Sequence, residues 1–200
     1  MKKLTLSLCV LLTAGMLFAG VSQSIGLGVG LDAYSMETKD DGNSFSTNAF
    51  GISVTGMTTF DKVEHLMVYE NIDLGFPRTI KSGGVSTSFD SGTLLGLTIG
   101  AGYTSSFKKS PVSYSIGAGG GWQKLTVTES SATVGYSCFT LSVFGNVRYD
   151  IKDGWFADFT MLDTMGFSTK AKAGSIETDY MKCFMNNAIV KIGGGYSFSF

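Results

Sequence analysis

Eight times along this chain apolar residues recur at every second position, over runs of roughly ten residues. Side chains on a strand point alternately to opposite faces, so each run reads as a β-strand with two unlike faces. The plainest is 25–34. It sets Ile25, Leu27, Val29, Leu31 and Ala33 against Gly26, Gly28, Gly30, Asp32 and Tyr34. A second run aligns Phe50, Ile52, Val54, Thr58 and Phe60. The fourth sets Leu95, Leu97, Ile99, Ala101 and Tyr103 against glycine and threonine. The fifth sets Val112, Tyr114, Ile116, Ala118 and Trp122 against serine, glycine and Gln123. The sixth carries Phe139, Leu141, Val143, Val147 and Tyr149 opposite Thr140, Ser142, Asn146 and Arg148. The seventh starts at Trp155, and the last sets Ala188, Val190, Ile192, Tyr196, Phe198 and Phe200 against Lys191, Gly193, Gly195, Ser197 and Ser199.

The third run, 63–76, is less regular. If Leu66, Val68, Ile72 and Leu74 share the apolar face, Glu70 shares it too, unless a bulge re-phases the strand. Connections alternate in length. Those at 61–62, 107–111 and 151–154 are short; those at 37–46, 77–91, 129–132 and 168–187 are mostly longer. An antiparallel meander therefore gathers its short turns at one end and its long loops at the other. Both prolines, Pro77 and Pro111, fall in connections, where a missing N–H breaks no ladder.

The N-terminus reads as a secretory signal. Lys2 and Lys3 precede a short apolar stretch, 4–18, and small residues follow. Residues 1–22 are assigned to the signal, with cleavage between 19 and 24, and 23–200 to one barrel domain. Without Lys2 and Lys3, 13 basic residues face 16 acidic ones. That balance, with no basic run beyond Lys108-Lys109, speaks against nucleic-acid binding.

Periodicity cannot say which face is the core; composition can. Charged residues are only 16 % of the chain and 27 of its 200 residues are glycine. The less apolar face is mostly Gly, Ser and Thr, whereas a water-facing sheet carries Lys and Glu that guard against aggregation. A narrow barrel interior prefers small residues beside a few bulky ones. Aromatics gather near predicted strand ends (Phe60, Tyr103, Phe107, Trp122, Tyr149 and Trp155), as in the girdles of membrane barrels. In lipid every backbone polar group needs an internal partner, so such a sheet must close. The expected fold is all-β: an eight-stranded antiparallel up-and-down transmembrane β-barrel. Eight strands leave an interior just filled by side chains, or room for one small ligand.

The ending Tyr196-Ser197-Phe198-Ser199-Phe200 resembles the C-terminal recognition strand of bacterial outer-membrane proteins. The mature region as a whole resembles the small eight-stranded outer-membrane barrels of the OmpA, OmpX and OmpW kind. The resemblance rests on pattern and ending rather than on a subfamily motif. It implies the outer membrane of a diderm bacterium, a lipid environment, insertion by the barrel-assembly machinery with Tyr196, Phe198 and Phe200 as signal, periplasmic short turns and extracellular loops. A monomer is expected, with an extracellular ligand left open.

Enzyme chemistry finds little footing. The glycine runs 26–30 and 117–121 are not followed by helices and fit no phosphate-binding fingerprint. His65, the one histidine, follows the short turn at 61–62, away from the outer leaflet where a lipid-modifying Ser-His-acid site would work. No cofactor or metal is expected. On the inward face Asp32, Asp158, Arg148 and Lys191 are expected to pair, because unpaired charges in a narrow lumen are costly. Cys138 and Cys183 both belong to the loop end and could form a disulfide or stay as buried thiols. The acidic stretch 37–41 and the segment 170–172 read as solvated loops. The leading role is structural or surface interaction through the loops. A narrow channel for small or hydrophobic solutes and a secreted, lipocalin-like binding barrel are the alternatives.

Overall fold

In the computed structural model, residues 20–39, 42–177 and 181–199 are described. The assigned signal therefore lies almost wholly outside them, as does Phe200. Eight long strands form one antiparallel ring: β1 (Val21–Thr38), β2 (Ser44–Phe60), β3 (Val63–Pro77), then β6 (Ser91–Ser106), β7 (Val112–Glu129), β8 (Ala132–Lys152), β9 (Trp155–Ala173) and β11 (Met181–Ser199). Three short strands, β4 (Thr79–Ser82), β5 (Val85–Ser88) and β10 (Ile176–Glu177), belong to the loops. Each long strand pairs with the next, and β1 pairs with both β2 and β11. Ile25 faces Tyr196 on one side and Gly56 on the other, so the ring is closed and no edge is left.

The apolar rows face outward. Leu27 is 70 % exposed and Phe139 73 %, with Ile116, Ile192, Ile99 and Leu31 similarly bare. Their alternating neighbours Asp32, Tyr34, Thr140, Ser142 and Lys191 are buried inside. A soluble monomer rarely exposes a contiguous apolar patch above a few hundred Å². Here the apolar surface runs around the wall, as a lipid-facing band requires.

Local chemistry sets the turns. Ser130 and Ser131 form a two-residue hairpin turn with φ of 46° and 74°, and Asp153-Gly154 another with 53° and 85°. Positive φ at both central residues gives the turn a twist that matches that of the strands. The last loop is shorter than the 168–187 connection read from sequence, because β9 and β11 continue past the apolar band and pair there. The irregularity in the third run also lies elsewhere than at Glu70. Pairing of β3 with β6 is unbroken from Leu66–Tyr103 to Gly75–Leu94, and the shift sits at the turn, between Thr59 and Phe60. Glu70 therefore stays on the outward face, where its carboxylate lies over Gly56; a Cβ there would come within 2.6 Å of Oε2.

Candidate functional site in the lumen

Inward side chains fill the barrel. At the loop end Tyr34, Met36, Leu94, Leu125, Cys138, Cys183 and Met185 form one buried apolar cluster, with Phe45 and Tyr136 packed against it. Deeper, Met67, Tyr69, Phe144, Leu162 and Ile189 form a second. Tyr69 and Phe144 stack across the lumen, centroids 4.3 Å apart.

Charges occupy the rest of the deeper section. Lys191 leaves β11, passes over Gly30 and reaches β3, where Nζ pairs with Asp73 and donates to Asn71 Oδ1 at 2.8 Å. Both ends are dry: the side chains are 5 % and 7 % exposed. Asn71 also donates to Asp73, and Thr55 donates to Asn71. The carboxylate of Asp32 extends from β1 over Gly51 and Gly75, and its Oδ2 has no protein partner among the described residues. Asp158 lies against Gly193 and accepts from Asn146 at 3.0 Å. Several glycines of the inner face are thus seats for larger groups. A Cβ at Gly75 or Gly193 would collide with a carboxylate, and one at Gly117 with the Phe144 ring. Beside Lys191 and Asp158 a gap of ≈ 10 Å³ remains, room for about one water.

Toward the short-turn end Arg148 spans the mouth. Its Nη1 donates to Ser24 at 2.6 Å, Nη2 to Ser197 at 2.5 Å and Nε to Asp150 at 2.7 Å, while the guanidinium lies 4.0 Å from the Phe156 ring centre.

No family model matches the sequence, and no curated protein matches it. Solved structures do. OprG, an outer-membrane protein of Pseudomonas aeruginosa, aligns with TM-score 0.63 and 13 % identity over 91 % of this chain and 97 % of its own. A major outer-membrane protein of Thermus thermophilus aligns with TM-score 0.60 and 12 % identity, covering 89 % and 99 %. Neisserial surface protein A aligns with TM-score 0.57 and 13 % identity, covering 87 % and 97 %. The chain has the fold of the small eight-stranded outer-membrane β-barrels. At these identities the likeness is one of fold.

Within this outer-membrane barrel fold, all four charges singled out from sequence face the lumen, and Asp158 lies directly opposite Arg148 in the β8–β9 register, but the close ion pairs are made with other carboxylates. Lys191 meets Asp73 and Arg148 meets Asp150; among the described residues Asp32 and Asp158 make no ion pair with either cation. Asn71 and Asp73 escaped the sequence reading because Glu70 obscured the phase of β3. Strict alternation from Leu66 would have turned Met67, Tyr69, Asn71 and Asp73 inward. The apolar clusters escaped as well, since a polar interior was expected. Cys138 and Cys183 are both free and buried in the loop-end cluster. Tyr103, Phe107, Tyr149 and Trp155 lie exposed at the short-turn end, Trp122 nearer the loops. His65 stacks on Tyr103 at 4.8 Å and its Nδ1 lies 2.9 Å from the Thr104 carbonyl. It is exposed at the turn.

Proposed function

We propose that this protein is an integral outer-membrane β-barrel that acts as a stable, non-conducting, non-enzymatic scaffold for its loops. The observation that carries this reading is the pairing of an apolar outer wall with a filled lumen. The outer wall suits lipid. Two apolar clusters and an ion-paired network occupy the interior, which supports a filled rather than an open lumen. A soluble, lipocalin-like barrel would have to leave Leu27, Phe139 and Ile192 in water, at roughly 25 cal/mol per Å² of apolar surface. A solute channel would have to displace Tyr34, Met36 and Leu125.

In this proposal the N-terminal segment directs export, and the ending Tyr196, Phe198 and Phe200 addresses the chain to the barrel-assembly machinery. The barrel works as a monomer. The connections after β1, β3, β7 and β9 face the medium, where an extracellular ligand would meet them. The test is heat-modifiability of outer membranes in SDS, followed by planar-bilayer conductance. A closed barrel migrates differently before and after boiling, and the folded form gives no channel events. Steady single-channel conductance by the folded protein would overturn the scaffold reading in favour of the channel.

A further inference from the structure

On the outer wall, just beyond the apolar band, three strands build a concave basic surface. Its order follows from pairing. Lys124, Ser137 and Lys170 lie in one row across β7, β8 and β9; Thr126, Gly135 and Lys172 lie in the next row toward the loops. In the middle strand Gly135 has no side chain and Ser137 a short one, so the lysines wall a groove of ≈ 290 Å³. Thr126, Thr133 and Ser137 add hydroxyls. In the row below, toward the band, Trp122 faces Phe139.

A break in register makes this surface. Pairing of β8 with β9 shifts between Cys138 and Thr140, and that of β11 with β9 shifts between Lys182 and Met185. Before the shift the odd residues of β9 face out, as Phe167 does; after it Thr169 is fully buried and Lys170 and Lys172 line the outer groove. Without that shift both lysines would point at the apolar loop-end cluster. A bulge that re-aims side chains at a barrel rim is a recurrent device at binding sites.

We propose that this groove binds the phosphate groups of an anionic lipid headgroup in the surrounding outer leaflet. The proposal rests on the membrane reading above. The arrangement matches that ligand from bottom to top: aromatic rings where acyl chains end, then ammonium groups and hydroxyls where phosphates lie. The groove opens sideways onto the membrane rather than upward among the loop tips, which favours a lipid over a soluble anion.

The experiment uses the mature chain with Trp155→Phe, which leaves Trp122 at the groove as the reporter. Lipid A is added to the protein in phosphatidylcholine vesicles, and Trp122 emission is followed. Saturable binding is expected. Lys124→Gln/Lys170→Gln/Lys172→Gln weakens it on the order of a hundredfold, each lysine at a membrane surface being worth roughly a factor of five. Dephosphorylated lipid A binds the unaltered groove as weakly as lipid A binds the triple variant. Lys62→Gln/Lys108→Gln/Lys109→Gln, which removes equal charge at the short turns, leaves binding unchanged. Should the triple variant lose its heat-modifiable band, the three single variants replace it. Equal loss in both triple variants, no loss in either, or saturation by inorganic phosphate at the same concentrations as lipid A overturns the proposal. Failure of the membrane reading shows separately, as failure to enter the vesicles at all.

Discussion

Tyr69 and Phe144 lie on strands three apart in the ring, yet their rings stack across the lumen at 4.3 Å with planes 18° apart. The contact exists because Gly117, between them on the wall, has no side chain: a Cβ there would run into the Phe144 ring. The pair ties opposite walls of the barrel in a way that ladder hydrogen bonds cannot.

Phe144→Ala removes a buried ring from that contact and leaves a cavity. A loss of about 3–5 kcal/mol in unfolding free energy is expected. Gly117→Val should be at least as harmful to folding by a different route, because the side chain and the ring claim one space. Urea titration in detergent micelles, read by the gel shift of unboiled samples, measures both. Wild-type stability in either variant would show that the lumen is not packed as described.

The Lys191–Asp73 pair is dry on both sides. Breaking a buried pair from one side leaves an uncompensated charge, at a cost of about 3–5 kcal/mol. Lys191→Met alone and Asp73→Leu alone should each destabilise by that order. The double variant should recover part of the loss, because neither member of the pair is then stranded, while Asp32 and Asp158 still lack the nearby cation. A double-mutant cycle in urea gives the coupling directly, and simple additivity would mean the two groups do not interact.

Glu70 is a carboxylate on the lipid-facing row Leu66–Phe76, opposite Gly56 and Ile99, with no hydrogen-bond partner among the described residues. Charged groups on that face destabilise barrels most near mid-membrane. Glu70→Leu is therefore expected to raise stability, by about 1–2 kcal/mol. A fall in stability would reveal an outward partner that Glu70 serves.

Cys138 and Cys183 are expected to remain thiols in the folded protein and to be shielded by the loop-end cluster. Maleimide should label neither at a useful rate in the folded, unboiled protein and both after boiling, without added reductant. Labelling that needs reductant after boiling would show a disulfide.

How much of this was written in the sequence can be judged residue by residue. Ile25 to Tyr34 alternates so cleanly that its strand and its two faces follow from side-chain geometry alone. The same holds for the runs from Leu95, Phe139 and Ala188, and eight such runs without an apolar helix already imply a closed sheet. The glycines of the inner face were legible as small lumenal positions. What each makes room for was not: Gly75 for the Asp32 carboxylate, Gly117 for the Phe144 ring.

Pairing depended on the tertiary structure. Lys191 and Asp73 are far apart in sequence and meet only because the ring places β11 and β3 across a shared lumen. Arg148 is the exception in part: Asp150 answers it from two residues along the same face of β8, a local spacing, whereas Ser24 and Ser197 reach it only across the closed ring. The phase of Lys170 and Lys172 turned on a single register shift, which local sequence does not mark. Alternation thus determined the strands and their two unlike faces, because period two is a local property, and composition told which face lies outside. Closure, stagger and bulges decided which lumenal groups touch and which lysines face outward, because those depend on residues that only the closed ring brings together.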